Sequence, residues 1–127
     1  MAFSRISLVS SKIPEFPLEA GSFTGACVDF RGIVRGLEKE RPIRGILYTI
    51  HPRMTEPGMH ALAAETCDRF PVLGGIFVHR TGFVAAGETS VFVRVLTTHR
   101  AEAYDASRWL LEQMKRCLPI WKEPLFE

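Results

Sequence analysis

The chain has no Cys-x-x-Cys pair. Its three cysteines, Cys27, Cys67 and Cys117, are odd in number and far apart, which argues against a disulfide framework and against a structural zinc site. A reducing compartment is expected. Long hydrophobic runs are missing as well. The opening stretch MAFSRISLVSSKIPEF holds only a short apolar patch broken by Arg5, and no later segment reaches the roughly 20 residues a membrane span needs. The expectation is a cytoplasmic protein with no membrane anchor. Charge of one sign is scarce, with 16 Lys and Arg against 14 Asp and Glu, too small an excess to announce a nucleic-acid partner. Only local clustering could build an anion site. Repeats, low-complexity tracts and linkers are also absent. A length of 127 residues, 46% of them hydrophobic, fits one domain over residues 1–127 that closes its own core.

What the chain does have is periodicity. Residues 4–9 suit a short strand, Pro14 and Pro17 interrupt, and residues 18–22 suit a brief helix or a turn. In GACVDFRGIVR, Ala26, Val28 and Phe30 alternate with other residues, which is strand spacing. Gly32 permits a bulge there, and Arg35 arrives at the far end. The polar run GLEKERPIR reads as a loop and GILYTI as a returning strand, which makes a hairpin. Thr55 can cap a helix to about Phe70, with Met59, Leu62, Ala63, Thr66 and Phe70 on one face and Pro57 in the first turn. GIFVHR, FVAAG and TSVFVRVLTT then predict three strands, antiparallel because their connections are too short for a helical crossover.

The last helix is expected from near His99 to about Cys117. Ala103, Ala106, Leu110, Met114 and Cys117 make its core stripe, flanked by Tyr104, Leu111 and Leu118. Lys115 falls at the edge of that stripe, able to border a cavity without being buried. Pro119 ends the helix and sends Lys122 onto an extended segment, with Trp121 available to anchor it. Taken singly, these residues have ordinary explanations. Lys115 and Arg116 suit the negative end of a helix dipole, Lys122 suits a solvated surface, and His99 can be a satisfied structural residue. A helix N-terminus at His99 and Arg100 also offers free N–H groups to an anion.

In combination, GACVDFRGIVR, VHRTG, LTTHRAEAY and MKRCLPIWKE resemble, in order and spacing, the large, catalytic subunit family of molybdopterin synthase. The resemblance runs from about Gly25 to Glu123. It implies an α+β fold with a hammerhead-like α/β part and an antiparallel β-sheet in one compact domain. It also implies a homodimer within a heterotetramer that carries a small ubiquitin-like sulfur-carrier subunit at each end. In the implied reaction the small subunit's C-terminal thiocarboxylate gives its sulfur to cyclic pyranopterin monophosphate, and two rounds build the molybdopterin dithiolene. The sulfur arrives on the partner, so no cysteine nucleophile, metal or cofactor is expected. By matching positions, Lys115 takes part directly and Lys122 assists by proton transfer or by holding developing charge. Arg35, His99 and Arg100 would bind the substrate's anionic groups, with Phe30 beside them.

The chain departs from the family pattern in several places, among them Glu123 directly after Lys122, where many members place the acid one residue later, at Pro124 here. LYTIHPRM keeps Tyr48 but has Thr49 where an acid is usual, and GLEKERPIR lacks the usual glycine-rich part. Members commonly continue past the Trp-Lys segment with a tail that brings an arginine to the neighbouring subunit's pocket, a role open here to Arg44, Arg53 or Arg80. Two other readings stand beside the leading one: a non-catalytic relative that binds the small subunit or a pterin without turnover, and an unrelated anion- or RNA-binding α+β domain. The second of these should show affinity that falls steeply with salt.

Overall fold

The computed structural model describes residues 2–127. The elements follow in the order β1 (Phe3–Val9), β2 (Ala26–Ile33), β3 (Leu37–Glu38), β4 (Arg41–Ile50), α1 (Thr55–Arg69), β5 (Gly74–Arg80), β6 (Gly82–Ala85), β7 (Thr89–Thr97), α2 (Arg100–Cys117) and β8 (Ile120–Phe126). One sheet has the order β1-β5-β7-β2, in which β1 runs parallel to β5 and the other pairs are antiparallel. The second is built on β4, in the order β3-β4-β6, with β8 also paired antiparallel to β4. This is the α+β class expected from the sequence, in one compact domain.

Strand alternation in β7 organises the first sheet. Val91, Val93 and Val95 turn to one face and meet Phe77, Met59, Leu62 and Ala63 of α1, and Ala106 and Leu110 of α2. Leu110 is fully buried there, and truncating such a side chain to Ala costs about 2–5 kcal/mol. Phe92 faces the other way and packs with Ile76 and Val78 under Val9, Ile13 and Phe16. Arg94 lies on that same face and explains why the irregular segment after β1 stays down. Its guanidinium donates to both Asp29 carboxylate oxygens, at 2.7 and 3.0 Å, and to the carbonyls of Pro17 and Phe16, at 2.8 and 2.9 Å. The Arg94 hydrogen bonds hold the Asp29 carboxyl below its ordinary range.

Several expectations are corrected. β2 and β4 do not form a hairpin: β2 pairs with β7, and β4 lies in the other sheet. The polar run between them is itself a tight hairpin, β3 to β4, turning through Lys39 and Glu40 at φ 50° and 65°. FVAAG, as β6, joins β4 and not its sequence neighbours. Of the two readings of segment 18–22, a brief helix or a turn, the helix is not formed and the chain turns at Gly21–Thr24. Thr55 is the first residue inside α1, and its hydroxyl is used elsewhere, as described below. Cys117 and Trp121 are exposed, Trp121 by 57%, so neither joins the core. The bulge at Gly32 is present as a register shift before Ile33. A Cβ at Gly32 would stand 2.7 Å from Val91 Cγ1, so the close approach requires glycine.

Candidate active site

The corner between α2 and β8 sets the two lysines. Leu118 leaves the helix with extended backbone, as a residue before proline must, and its buried side chain seats against Gly58 of α1, where a Cβ would lie 2.9 Å from Leu118 Cδ2. The Pro119 carbonyl accepts hydrogen bonds from the Thr55 hydroxyl at 3.1 Å and from the His51 N–H at 3.2 Å. The same His51 N–H also donates to Thr55 Oγ1 at 3.0 Å. Thr55 is wholly buried. It therefore ties the start of α1 to the point where the chain swings from Lys115 toward Lys122.

Register then decides which side of β8 matters. Tyr48 pairs with Lys122, Ile46 with Pro124 and Ile50 with Ile120, and directly opposed residues share a face. Ile120, Lys122 and Pro124 accordingly look into a cleft with Ile46 and Tyr48, while Trp121 and Glu123 point away. Pro124 is tolerated because β8 is an edge strand. The opposite wall is α2, where Arg108, Leu111, Glu112 and Lys115 recur at helical spacing. Phe30 and Gly32 of β2 close the third side. Arg35 sits just beyond, held by backbone bonds at Val34 and Gly36, its side chain 83% exposed and only 3.9 Å from Glu38 as partner.

The cleft encloses about 800 Å³, within the usual range for small-molecule sites. It gathers Phe30, Arg35, Lys115 and Lys122, four of the six residues singled out from sequence. His99 and Arg100 are not among them. They are exposed at the first turn of α2, about 22 Å along the helix axis from Lys115. Of the arginines considered as substitutes for a tail residue, Arg80 is buried and bound to Glu88 at 2.9 Å, and neither Arg44 nor Arg53 lines the cleft.

Sequence reasoning noted Tyr48 only as a retained family residue, missed His79 and Ser90 on the floor, and assigned no role to Arg108 or Glu112. His79 is 4% exposed and sits edge-on to Tyr48, with ring centroids 5.2 Å apart. Burial pushes its pKa down, aided by the nearby Lys122 charge and opposed by its bond to the Arg80 carbonyl. The imidazole is therefore neutral at physiological pH. The VHRTG motif was the available signal, but a buried strand histidine has no spacing that marks it. Among the described residues no cluster of His, Cys, Asp and Glu could hold a metal ion, and no helix is long and apolar enough to cross a membrane.

The family model described as MoaE protein matches residues 10–117. The molybdopterin synthase catalytic subunit of Pyrococcus abyssi is 33% identical over 96% of this chain and 86% of its own length. Three other curated subunits of that name are longer, the chain spanning 53%, 66% and 66% of them. The crystal structure of molybdopterin synthase from Staphylococcus aureus matches with a TM-score of 0.86 at 28% identity, over 96% of this chain and 91% of that one. A complex of subunits 1 and 2 of the molybdopterin-converting factor from Helicobacter pylori matches with a TM-score of 0.69 at 26% identity, over 83% and 68%. Sequence over most of its length, fold and relatives agree, and the chain belongs to the MoaE family.

Proposed function

We propose that this chain is the catalytic subunit of a molybdopterin synthase, moving sulfur from a thiocarboxylated small subunit to cyclic pyranopterin monophosphate. The observation that carries the reading is the convergence of Lys115, Lys122, Arg35 and Phe30 on one cleft from α2, β8, the end of β2 and its body. The cleft suits the chemistry. Arg35 offers a planar fork to a phosphate, and Phe30, Ile43 and Ile46 supply the apolar lining that a ring system or an extended Gly-Gly tail can displace water from.

The transfer needs two bond exchanges. The thiocarboxylate sulfur bonds to a side-chain carbon of the pterin as a carbon–oxygen bond there breaks, the oxygen leaving as water or on the phosphate, and water then attacks the acyl carbon. Cleavage of the acyl–sulfur bond leaves sulfur on the pterin and a carboxylate on the small subunit. Negative charge builds on the acyl oxygen and a proton leaves the water. Lys115, on the helix end, is placed to stabilise the first, and Lys122, across the cleft, to handle the second. A cytoplasmic setting accords with three unpaired cysteines.

His99 and Arg100 serve this reading only across a dimer, where the N-terminus of one α2 meets the cleft of the partner subunit. Size measurement by light scattering should then give a dimer alone and a heterotetramer with the small subunit. The decisive assay combines thiocarboxylated small subunit, cyclic pyranopterin monophosphate and either the wild-type chain or Lys115→Ala, and follows molybdopterin. Formation by the wild type and loss in the variant, with partner binding kept, is the expected result. Tight partner binding without any product from the wild type would replace the proposal with a non-catalytic binding relative.

A further inference from the structure

Two side chains on the floor of the cleft each leave a polar atom without a protein partner although each is more than nine-tenths buried: His79 at 4% exposure and Tyr48 at 6%. His79 Nδ1 lies 2.7 Å from the Arg80 carbonyl oxygen, which can only accept, so Nδ1 carries the proton. Nε2 is then a bare lone pair. It makes no hydrogen bond, nor does the Tyr48 hydroxyl, and neither atom is among those sealed from solvent without a partner, Arg80 Nε and Glu102 Oε2. Both residues line the cleft, so both polar atoms open into it.

The scaffold fixes both groups. Tyr48 is central in β4, hydrogen-bonded between β6 and β8, and opposite Lys122. His79 is near the end of β5, backed by β7 through Val91. Their rings meet edge to face. The floor therefore presents one obligate acceptor beside one hydroxyl able to donate, below walls that carry the cations Arg35, Arg108, Lys115 and Lys122 against the acids Glu38 and Glu112. A phosphate has no use for the bare Nε2 lone pair. An N–H next to a carbonyl oxygen, as on the lactam edge of a pyrimidinone ring, uses both groups at once.

We infer that His79 Nε2 and the Tyr48 hydroxyl read the N–H and C=O edge of the substrate's heterocycle, and so set specificity for the ring while the cleft's cations hold its phosphate. The inference rests on the proposed function, since it assigns the end of that substrate that the lysines and arginine do not explain. It also gives the neutrality of His79 a purpose. A protonated imidazole would present a donor where the ring also presents one, and the burial and the Lys122 charge that disfavour protonation preserve the acceptor.

The test is direct binding of cyclic pyranopterin monophosphate to the full chain in complex with its small subunit. It uses His79→Phe, His79→Gln and Tyr48→Phe, with thermal stability and small-subunit affinity measured in parallel. His79→Phe keeps the ring and should weaken substrate binding about tenfold, the loss of one buried hydrogen bond. Gln can place a carbonyl oxygen near the Nε2 position and should recover most of that loss. Tyr48→Phe should weaken binding about threefold to tenfold, and in all three the loss should fall on KM more than on kcat. Unchanged substrate affinity in both Phe variants overturns the inference. So does a loss in His79→Phe that Gln does not recover and that travels with lower stability or weaker small-subunit binding, since that pattern marks a structural histidine. Wild-type chain that binds no pterin would instead overturn the functional reading, and this inference with it.

Discussion

Both ends of α2 carry basic side chains, in very different surroundings. At the C-terminal end, Lys115 faces a cleft completed by β2, β4 and β8, with Lys122 across from it. At the N-terminal end, His99 and Arg100 stand exposed and outside that cleft. Basic side chains are favoured near a helix C-terminus and disfavoured near its N-terminus, so the cation at Arg100 has no local electrostatic reason to be there. The difference teaches that a cation becomes a candidate site residue through what the fold builds around it. Under the proposed function, that construction for Arg100 comes from a second molecule.

The sharpest way to break the comparison is at the finished end. Lys115→Ala should lower molybdopterin formation by at least about 100-fold, the scale of a lost acid–base or charge-stabilising group. Small-subunit affinity should stay close to wild type. Equal loss of binding and turnover would make Lys115 a docking residue. The unfinished end is tested next. Arg100→Ala should cost about tenfold, the scale of a charge-assisted hydrogen bond. Mixing it with Lys115→Ala should then restore activity to about a quarter of wild type. Hybrid dimers would be half of the population, and each would hold one intact site if Arg100 acts on the partner subunit's cleft. No recovery on mixing would confine Arg100 to its own chain, 22 Å or so from Lys115.

A smaller effect is expected where the corner is pinned. Thr55→Val removes the hydroxyl that donates to the Pro119 carbonyl and accepts from His51. Denaturant unfolding should show a loss of about 1–3 kcal/mol. Turnover should fall less than in Lys115→Ala, because the lysines remain but their spacing relaxes. Turnover at the wild-type level would mean that Leu118 seated on Gly58 holds the corner unaided.

Residues whose role follows from local pattern were legible before the structure. The alternation of Val91, Val93 and Val95, the stop at Pro119 and the edge position of Lys115 are properties of a few consecutive residues, and the fold keeps them. Pairing partners were not legible. β2 and β4 are neighbours in sequence, but each bonds to strands far along the chain, and nothing in a polar connection says which edge a strand will join. The same limit hid β8. Read alone, PIWKEPLF is only extended, and its strand character comes from β4 beside it. His79 was missed, and Tyr48 given no role, because a polar residue in an apolar strand is silent until its neighbours show whether its hydrogen bonds are filled.

The smallest expected effect concerns the cysteines, which separate this cleft from one that carries sulfur on its own side chain. None of Cys27, Cys67 and Cys117 lines it. Burial raises the Cys27 thiol pKa and the adjacent Asp29 charge raises it further, with Arg94 opposing. That is the reverse of an activated thiolate, whose pKa is lowered by a positive setting. Cys67 packs against the main core, so alanine suits it better than serine. The triple variant Cys27→Ser, Cys67→Ala, Cys117→Ser should keep sulfur transfer within about twofold of wild type, as substitutions outside a site do. Iodoacetamide should likewise leave the wild-type rate in place. A drop of an order of magnitude in Cys27→Ser alone would put a covalent sulfur relay on this chain, and the two lysines would then have to be reassigned to binding.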